Sequence, residues 1–271
     1  MNSGSVRQPA VAGRFYPADP DDLAAQVDAH LASTAKRKRV LGCLVPHAGY
    51  VYSGHVAGAV YSAIELPHRI IILGPNHTGR GQPLATALAG GWATPLGDAK
   101  IDQALAAELA SAIPQLSDDP LAHRFEHSIE VQLPFLQRAV GEFRFVPICV
   151  GTSNLDALFA LGHALANVIH NSDEPVLLIC SSDLNHYEPD DITRIKDSRA
   201  IAPMLSLDAQ SLHDAIHRER ISMCGFAPAV ATLAACAALG ARQGTLIKHA
   251  TSADINGDCS YCVGYAGIVF A

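Results

Sequence analysis

Short apolar runs that alternate with longer amphipathic segments are the feature that most constrains the fold of this 271-residue chain. The apolar runs are too short to form helices, whereas the segments between or after them repeat apolar residues at the helical period. The predicted strands are 40–45, 69–73, 143–150, 175–180, 244–251 and 261–269. The predicted helices are 53–66, 101–113, 127–140, 154–170, 192–205, 209–218 and 227–239.

This order predicts an α/β fold with three layers, α/β/α, around a mixed, mostly parallel central sheet. We expect the last two strands to pair antiparallel at a sheet edge. No internal repeat or flexible linker divides the sequence, so we expect one domain over 1–271, with two interlocked halves as the alternative.

The composition indicates which partners the chain disfavours. Hydrophobic residues make up 49% of it and charged residues 17%, a balance that can bury a large core. The formal net charge of −7 argues against nucleic acid and against strong attraction to anionic membranes. The basic run 36–39 is interpreted as a solvated connection before a strand rather than as a nucleic-acid patch.

The sequence shows neither a signal-type apolar segment at its start nor the roughly 18 apolar residues that a membrane span requires, so we expect a cytoplasmic protein. Three cysteines within apolar runs, Cys43, Cys149 and Cys180, are predicted to be reduced core residues. Cys259 and Cys262 form a lone CxxC pair, which could be a redox couple or half of a zinc site, and their role stays open.

Histidines follow two of the predicted strands at equivalent positions. His47 follows strand 40–45 and His77 follows strand 69–73. Ligands of open α/β sheets bind beyond the carboxyl ends of the strands, and two such histidines have the separation expected of metal ligands from neighbouring strands. A third strand end, after 175–180, adds Asp183, as a metal ligand, an orienting acceptor or a helix cap, and His186, as a ligand or a general acid/base.

Two further segments offer candidate side chains. Glu126, His127 and Glu130 open the predicted helix 127–140, with the two glutamates one turn apart on one face, either supporting a site or complementing the helix dipole. Cys224 directly precedes the helix 227–239, where the helix dipole or a nearby metal would lower the thiol pKa. Among the seven cysteines it is therefore the best functional candidate.

Together these motifs resemble the Memo family, in order along nearly the whole chain. The segments that carry the resemblance are 7–17, 46–50, 74–77, 126–130, 182–187 and 224–225. The family is similar in fold to class III extradiol ring-cleaving dioxygenases, which use non-haem Fe(II). The resemblance also implies AMMECR1-domain and radical-SAM proteins as possible partners.

The resemblance implies roles for individual residues. His47 and His77 match the two histidine ligands, Cys224 takes the place of the carboxylate ligand, and His186 matches the acid/base histidine. Two histidines and a thiolate are a softer ligand set than two histidines and a carboxylate, so iron, copper and zinc are all open. We assign pocket or supporting positions to a further group: Tyr50, Asn76, Glu126, His127 and Tyr187.

Three functions compete on these observations. The first is a metal-dependent, dioxygenase-like oxidoreductase in which His186 moves a proton, Asp183 orients it, and a concave pocket at the strand ends admits a small molecule. The second is a non-catalytic protein that binds a peptide or partner, without metal, in a pocket with an aromatic rim composed of Tyr16, Tyr50, Trp92 and Tyr187. The third is nucleophilic hydrolysis through Cys224 and His186.

Overall fold

A computed structural model describes residues 5–32 and 36–271. The strands are β1 Val6–Arg7, β2 Gly42–Val45, β3 Arg69–Pro75, β4 Leu84–Thr86, β5 Gly91–Thr94, β6 Gly97–Ile101, β7 Ser117–Asp118, β8 Arg144–Val150, β9 Val176–Ser181, β10 His186–Glu188, β11 Gly244–Thr251 and β12 Cys262–Phe270. The helices are α1 Pro20–Leu31, α2 Tyr50–Ala63, α3 Gln103–Ala112, α4 Pro120–His123, α5 Leu133–Val140, α6 Leu155–His170, α7 Asp190–Leu205, α8 Ala209–Glu219, α9 Phe226–Ala238 and α10 Ala253–Asn256.

The strands form one sheet whose main path runs β1-β5-β6-β8-β3-β9-β2-β12-β10. Neighbours from β6 to β2 along this path are parallel, whereas β12 pairs antiparallel with β2 and β11 pairs antiparallel with β12. Helices α1, α2 and α5 pack together on one face, and α3, α6 and α9 pack on the other. The predicted three-layer fold with a mixed, mostly parallel sheet is confirmed, as is the antiparallel pairing of the last two strands.

The centre of the sheet is buried on both faces, which is why its strands appear in the sequence as continuous apolar runs. Every residue of β2, β3 and β9 is buried. The thiols of Cys43, Cys149 and Cys180 are buried and free, as predicted. The basic run 36–39 is exposed between α1 and β2, as predicted.

The prediction of a continuous helix over 127–140 is wrong. A single 3₁₀ turn covers Glu130–Gln132 and α5 begins only at Leu133, so residues 126–129 lie in a loop. The cause is the Glu130 side chain, which is fully buried and accepts hydrogen bonds from Tyr16 and from two backbone N–H groups of the N-terminal segment. Glu126 and Glu130 therefore do not share a helix face.

Candidate metal centre

Two histidines meet at the carboxyl edge of the sheet, although their strands are not neighbours. His47 lies two residues beyond β2 and His77 two residues beyond β3. The expectation of adjacent strands is wrong, because β9 lies between β2 and β3. The loops converge over the end of β9, and the two imidazole rings lie edge to face with their centroids 5.2 Å apart.

The His47 ring is buried and held by Ser181, the last residue of β9. The Ser181 hydroxyl donates to the Ser128 carbonyl at 2.6 Å and accepts the Gln132 amide at 2.8 Å. Its single hydrogen is therefore used, and the 3.0 Å contact with His47 Nδ1 requires that Nδ1 donates. This tautomer leaves the lone pair on Nε2. Burial, followed by the neighbouring imidazoles, lowers the pKa of His47 well below its usual range, so the ring is neutral.

The His77 ring is held by Glu126. The carboxylate accepts from His77 Nδ1 at 2.8 Å and from the His77 backbone N–H at 2.6 Å. Burial opposes ionisation of Glu126, but the hydrogen bond and charge of His77 lower its pKa to about 2. An ionised carboxylate only accepts, so Nδ1 of His77 carries a hydrogen. Burial lowers the pKa of His77, but the hydrogen bond and charge of Glu126 outweigh it and raise this pKa above its ordinary value. Nε2 is the ring atom left for a metal ion, which would take the place of a proton there.

Cys224 supplies the third donor. Its Sγ lies 3.2 Å from His47 Nε2, just before α9. The loop is anchored to β9 because the Ser182 hydroxyl accepts the Gly225 N–H at 3.0 Å and donates to the Asp183 carbonyl. A Cβ on Gly225 would lie 2.4 Å from the Ser182 Cβ, so the close approach requires glycine.

The expected lowering of the thiol pKa by the helix dipole alone is wrong. Burial, together with the nearby carboxylate of Asp183, raises the pKa of Cys224 above its ordinary value. Cys224 is half-buried and lies before the first turn of α9, with its Sγ 3.7 Å from the Asp183 carbonyl. A bound cation would reverse this balance and favour the thiolate.

Asp183 and His186 lie beside the three donors in different roles. Asp183 is buried, and its carboxylate accepts the backbone N–H groups of His47 and Ala48, so it orients the loop rather than an imidazole. Burial raises its pKa, although the His186 charge and these N–H groups oppose the shift. His186 is half-buried and its Nδ1 donates to the Ser222 carbonyl at 2.8 Å, which leaves Nε2 basic.

Three further residues were predicted to support the site: His127, Asn76 and Tyr50. His127 stacks on His77 with ring centroids 4.6 Å apart, and burial lowers the pKa of His127 to about 4. Asn76 shapes the loop by bonding to the backbone of residues 79 and 80. Tyr50 does not reach the donors, since its hydroxyl is buried against the Val131 carbonyl.

The predicted aromatic rim is wrong for three of its four members. Tyr16, Tyr50 and Trp92 are buried, whereas Tyr187 is 59% exposed and stacks on Tyr261. A cleft of about 610 Å³, lined by residues that include His68 and Arg144, lies at the opposite edge of the sheet, where β3 and β8 begin. The cleft is therefore separate from His47 and His77.

The donor set fits a metal ion. One ligand atom from each of His47, His77 and Cys224 lies within 4.8 Å of the others. Nδ1 of each imidazole donates a hydrogen bond, as metal-ligating histidines require, so Nε2 is the ring atom available to a metal ion in both. A second group, His77, Glu126 and His127, also has its ligand atoms within 4.8 Å of one another. Its carboxylate, however, already accepts the hydrogen bond from His77. Sequence reasoning missed Ser181 and Gln132, because a serine at a strand end and a buried glutamine carry no periodic signal.

The fold and the site together define an α/β protein whose sheet edge gathers two imidazoles and a thiol into a candidate metal centre. The sequence model of the family described as Memo-like protein matches residues 7–269, and the chain belongs to this family. It is 43% identical over 278 residues to a MEMO1 family protein of Methanopyrus kandleri, covering 97% of this chain and 98% of the relative. It is 40% identical over 267 residues to a MEMO1 family protein of Aquifex aeolicus, covering 98% and 99% respectively.

A solved structure shares the fold at low sequence identity. The crystal structure of an uncharacterized protein from Escherichia coli K12 superimposes with a TM-score of 0.60 and 15% identity, covering 86% of this chain and all of that chain. No helix in residues 5–32 and 36–271 is both long and apolar enough to cross a membrane.

Proposed function

We propose that this protein is a metal-dependent redox enzyme whose metal is bound by His47, His77 and Cys224. The observation that carries the proposal is the convergence of these three ligand atoms within 4.8 Å, with Nδ1 of both imidazoles engaged so that Nε2 is the ring atom left for a metal. Two nitrogens and one sulfur form a set that suits iron or copper, and also zinc. The family resemblance favours iron or copper.

The metal would supply Lewis acidity and electron transfer to a small molecule bound beside it. The protein's own residues position the donors and move the proton. Ser181 and Glu126 fix the two imidazole planes, and Asp183 fixes the backbone of the His47 loop. His186 accepts or returns a proton at Nε2, because its Nδ1 is committed to the Ser222 carbonyl.

The structure supports the two alternatives less well. A peptide-binding pocket was expected to have an aromatic rim, and three of those four aromatic residues are buried. Nucleophilic hydrolysis needs a thiolate near neutral pH, whereas burial raises the pKa of Cys224. The imidazole that contacts Cys224 Sγ is that of His47, whereas this mechanism would use that of His186.

Elemental analysis after anaerobic purification without chelator tests the proposal. Wild type is compared with His47→Ala, His77→Ala and Cys224→Ala, and with the matched control His163→Ala, which changes an exposed histidine on α6. We expect near-stoichiometric iron or copper in wild type and control, and its loss from the three folded site variants. A folded wild type that neither contains nor takes up metal would refute the proposal and direct attention to partner binding.

A further inference from the structure

An exposed phenylalanine beside the candidate metal centre holds two arginines. Phe125 directly precedes Glu126, the residue that orients His77, and its side chain is 52% exposed. The guanidinium carbons of Arg80 and Arg124 each lie 5.2 Å from the centre of its ring. One ring therefore holds two guanidinium groups in the segment that leads to Glu126, the partner of His77, whose side chain is 33% exposed.

A third arginine lies on the side of His127. The ring of Phe15 packs edge-on against His127 with centroids 4.7 Å apart, and Arg14 directly precedes Phe15. After burial and neighbouring groups, the positive charge of Arg14 contributes to the lowered pKa of His127. The three arginines are all exposed, and the side chains of His77 and His127 are 33% and 21% exposed. We call Arg14, Arg80 and Arg124 the arginine rim.

Two carboxylates of the neighbouring segments bond to groups other than the rim arginines. Glu126 is engaged by His77 and by the backbone N–H groups of residues 127 and 128. Asp119 accepts the backbone N–H groups of Gln82 and Leu121. Within the part of the chain that the structure describes, none of the three rim arginines forms an ion pair. The formal net charge of the whole chain is −7, so this cationic rim is a local feature.

We propose that the arginine rim binds the anionic group of the small molecule that enters the site, so that the substrate is an organic oxyanion. Guanidinium groups without a protein partner offer paired N–H donors that match carboxylate and phosphate oxygens. A cationic border at an opening also draws anions towards it. The assignment of this anion as substrate rests on the proposed function, whereas its binding requires no metal.

Anion titrations followed by NMR test this inference with three probes: benzoate, inorganic phosphate and the neutral isostere benzamide. The signals observed are the backbone amides of residues 77–82 and 124–127 and the arginine Nε–H groups. We expect saturable shifts with a dissociation constant below about 10 mM for at least one anion. Benzoate alone indicates a carboxylate substrate, and phosphate alone indicates a phosphate ester.

Matched variants locate the binding. Arg80→Gln combined with Arg124→Gln should weaken anion binding at least about fivefold, whereas Arg242→Gln, an exposed arginine near the C-terminus, should not. The inference is overturned if neither anion gives saturable shifts, if benzamide binds as well as benzoate, or if Arg242→Gln weakens binding equally. Repeating the titration after removal of metal with a chelator separates this result from the proposed function, since anion binding should persist.

Discussion

Glu126 holds His77 at two points, because one carboxylate oxygen accepts the backbone N–H at 2.6 Å and the other accepts ring Nδ1–H at 2.8 Å. The backbone contact fixes where the residue lies, and the ring contact fixes how the imidazole is turned. Each contact depends on the carboxylate being ionised, and its pKa of about 2 ensures this at neutral pH. The direction in which His77 Nε2 points is therefore set by a residue 49 positions away in the chain.

Replacing this carboxylate should weaken metal binding without removing a ligand. Glu126→Gln keeps the size of the side chain but offers an amide that can also donate, so the Nδ1–H tautomer of His77 is no longer enforced. We expect the metal affinity to fall by about 10- to 100-fold in competition with a chelator. Glu142→Gln, an exposed change near α5, is the control. Equal affinity of Glu126→Gln and wild type would contradict this role.

Removing the Ser181 hydroxyl should reduce both stability and metal affinity. Ser181→Ala leaves the His47 Nδ1–H and the Gln132 amide without their buried acceptor. We expect the free energy of unfolding to fall by about 1–3 kcal/mol in urea denaturation. Ser198→Ala, on the exposed face of α7, should change it by less than about 0.5 kcal/mol. A Ser181→Ala protein as stable as this control would show that the network contributes nothing.

Arg7 should contribute more to stability than an exposed arginine. Its guanidinium donates to the carbonyls of His123 and Glu126 and pairs with the buried Glu130. Arg7→Met leaves Glu130 without its counter-charge, so we expect a loss of about 3 kcal/mol in the free energy of unfolding. Arg138→Met breaks only an exposed pair with Asp28 and should cost less than about 1 kcal/mol. Similar losses in the two variants would be inconsistent with this difference.

The buried His123 should make the free energy of unfolding decrease as the pH is lowered. Burial, followed by the charge of Arg7, lowers the pKa of His123 to about 4. In the unfolded chain this histidine binds a proton below about pH 6.5, whereas in the folded chain it does so only below about pH 4. The free energy of unfolding is therefore unaffected by this residue above about pH 6.5 and decreases as the pH falls to about 4. We expect His123→Phe to remove up to about 3 kcal/mol of that loss in denaturation curves between pH 7 and 4. An unchanged pH profile would contradict the buried, neutral assignment.

Local patterns predicted the elements that carry the site, but not how they are arranged. The runs that became β2, β3 and β9 are apolar and bounded by turn residues, so periodicity identifies them to within two residues at each end. The position of β9 between β2 and β3 depends on pairing between segments more than 90 residues apart, and a single sequence carries no local signal for it. Six strands were missed: β1, β4, β5, β6, β7 and β10. Four of them have only two or three residues, which show no period, and β5 and β6 are a short antiparallel pair without a continuous apolar run.

The segment 126–130 shows why the predicted helix failed. Its spacing of charges matches the first turn of a helix, and that pattern is a local one. The actual conformation is determined by Arg7, Tyr16 and His77, which lie far away in sequence and bind the two glutamates separately. Tertiary hydrogen bonds thus override the local preference. The same distant contacts give Glu126 its place beside His77.

Two adjacent serines, the last residue of β9 and the one after it, bond respectively to the His47 ring and to the backbone that follows Cys224. An imidazole and a thiol from distant parts of the chain are thereby tethered to two consecutive peptide units. Because both tethers start from consecutive residues, a shift of this segment would move the two donors together, which are 3.2 Å apart. The spacing of the two donors behaves as a property of one strand rather than of the three loops.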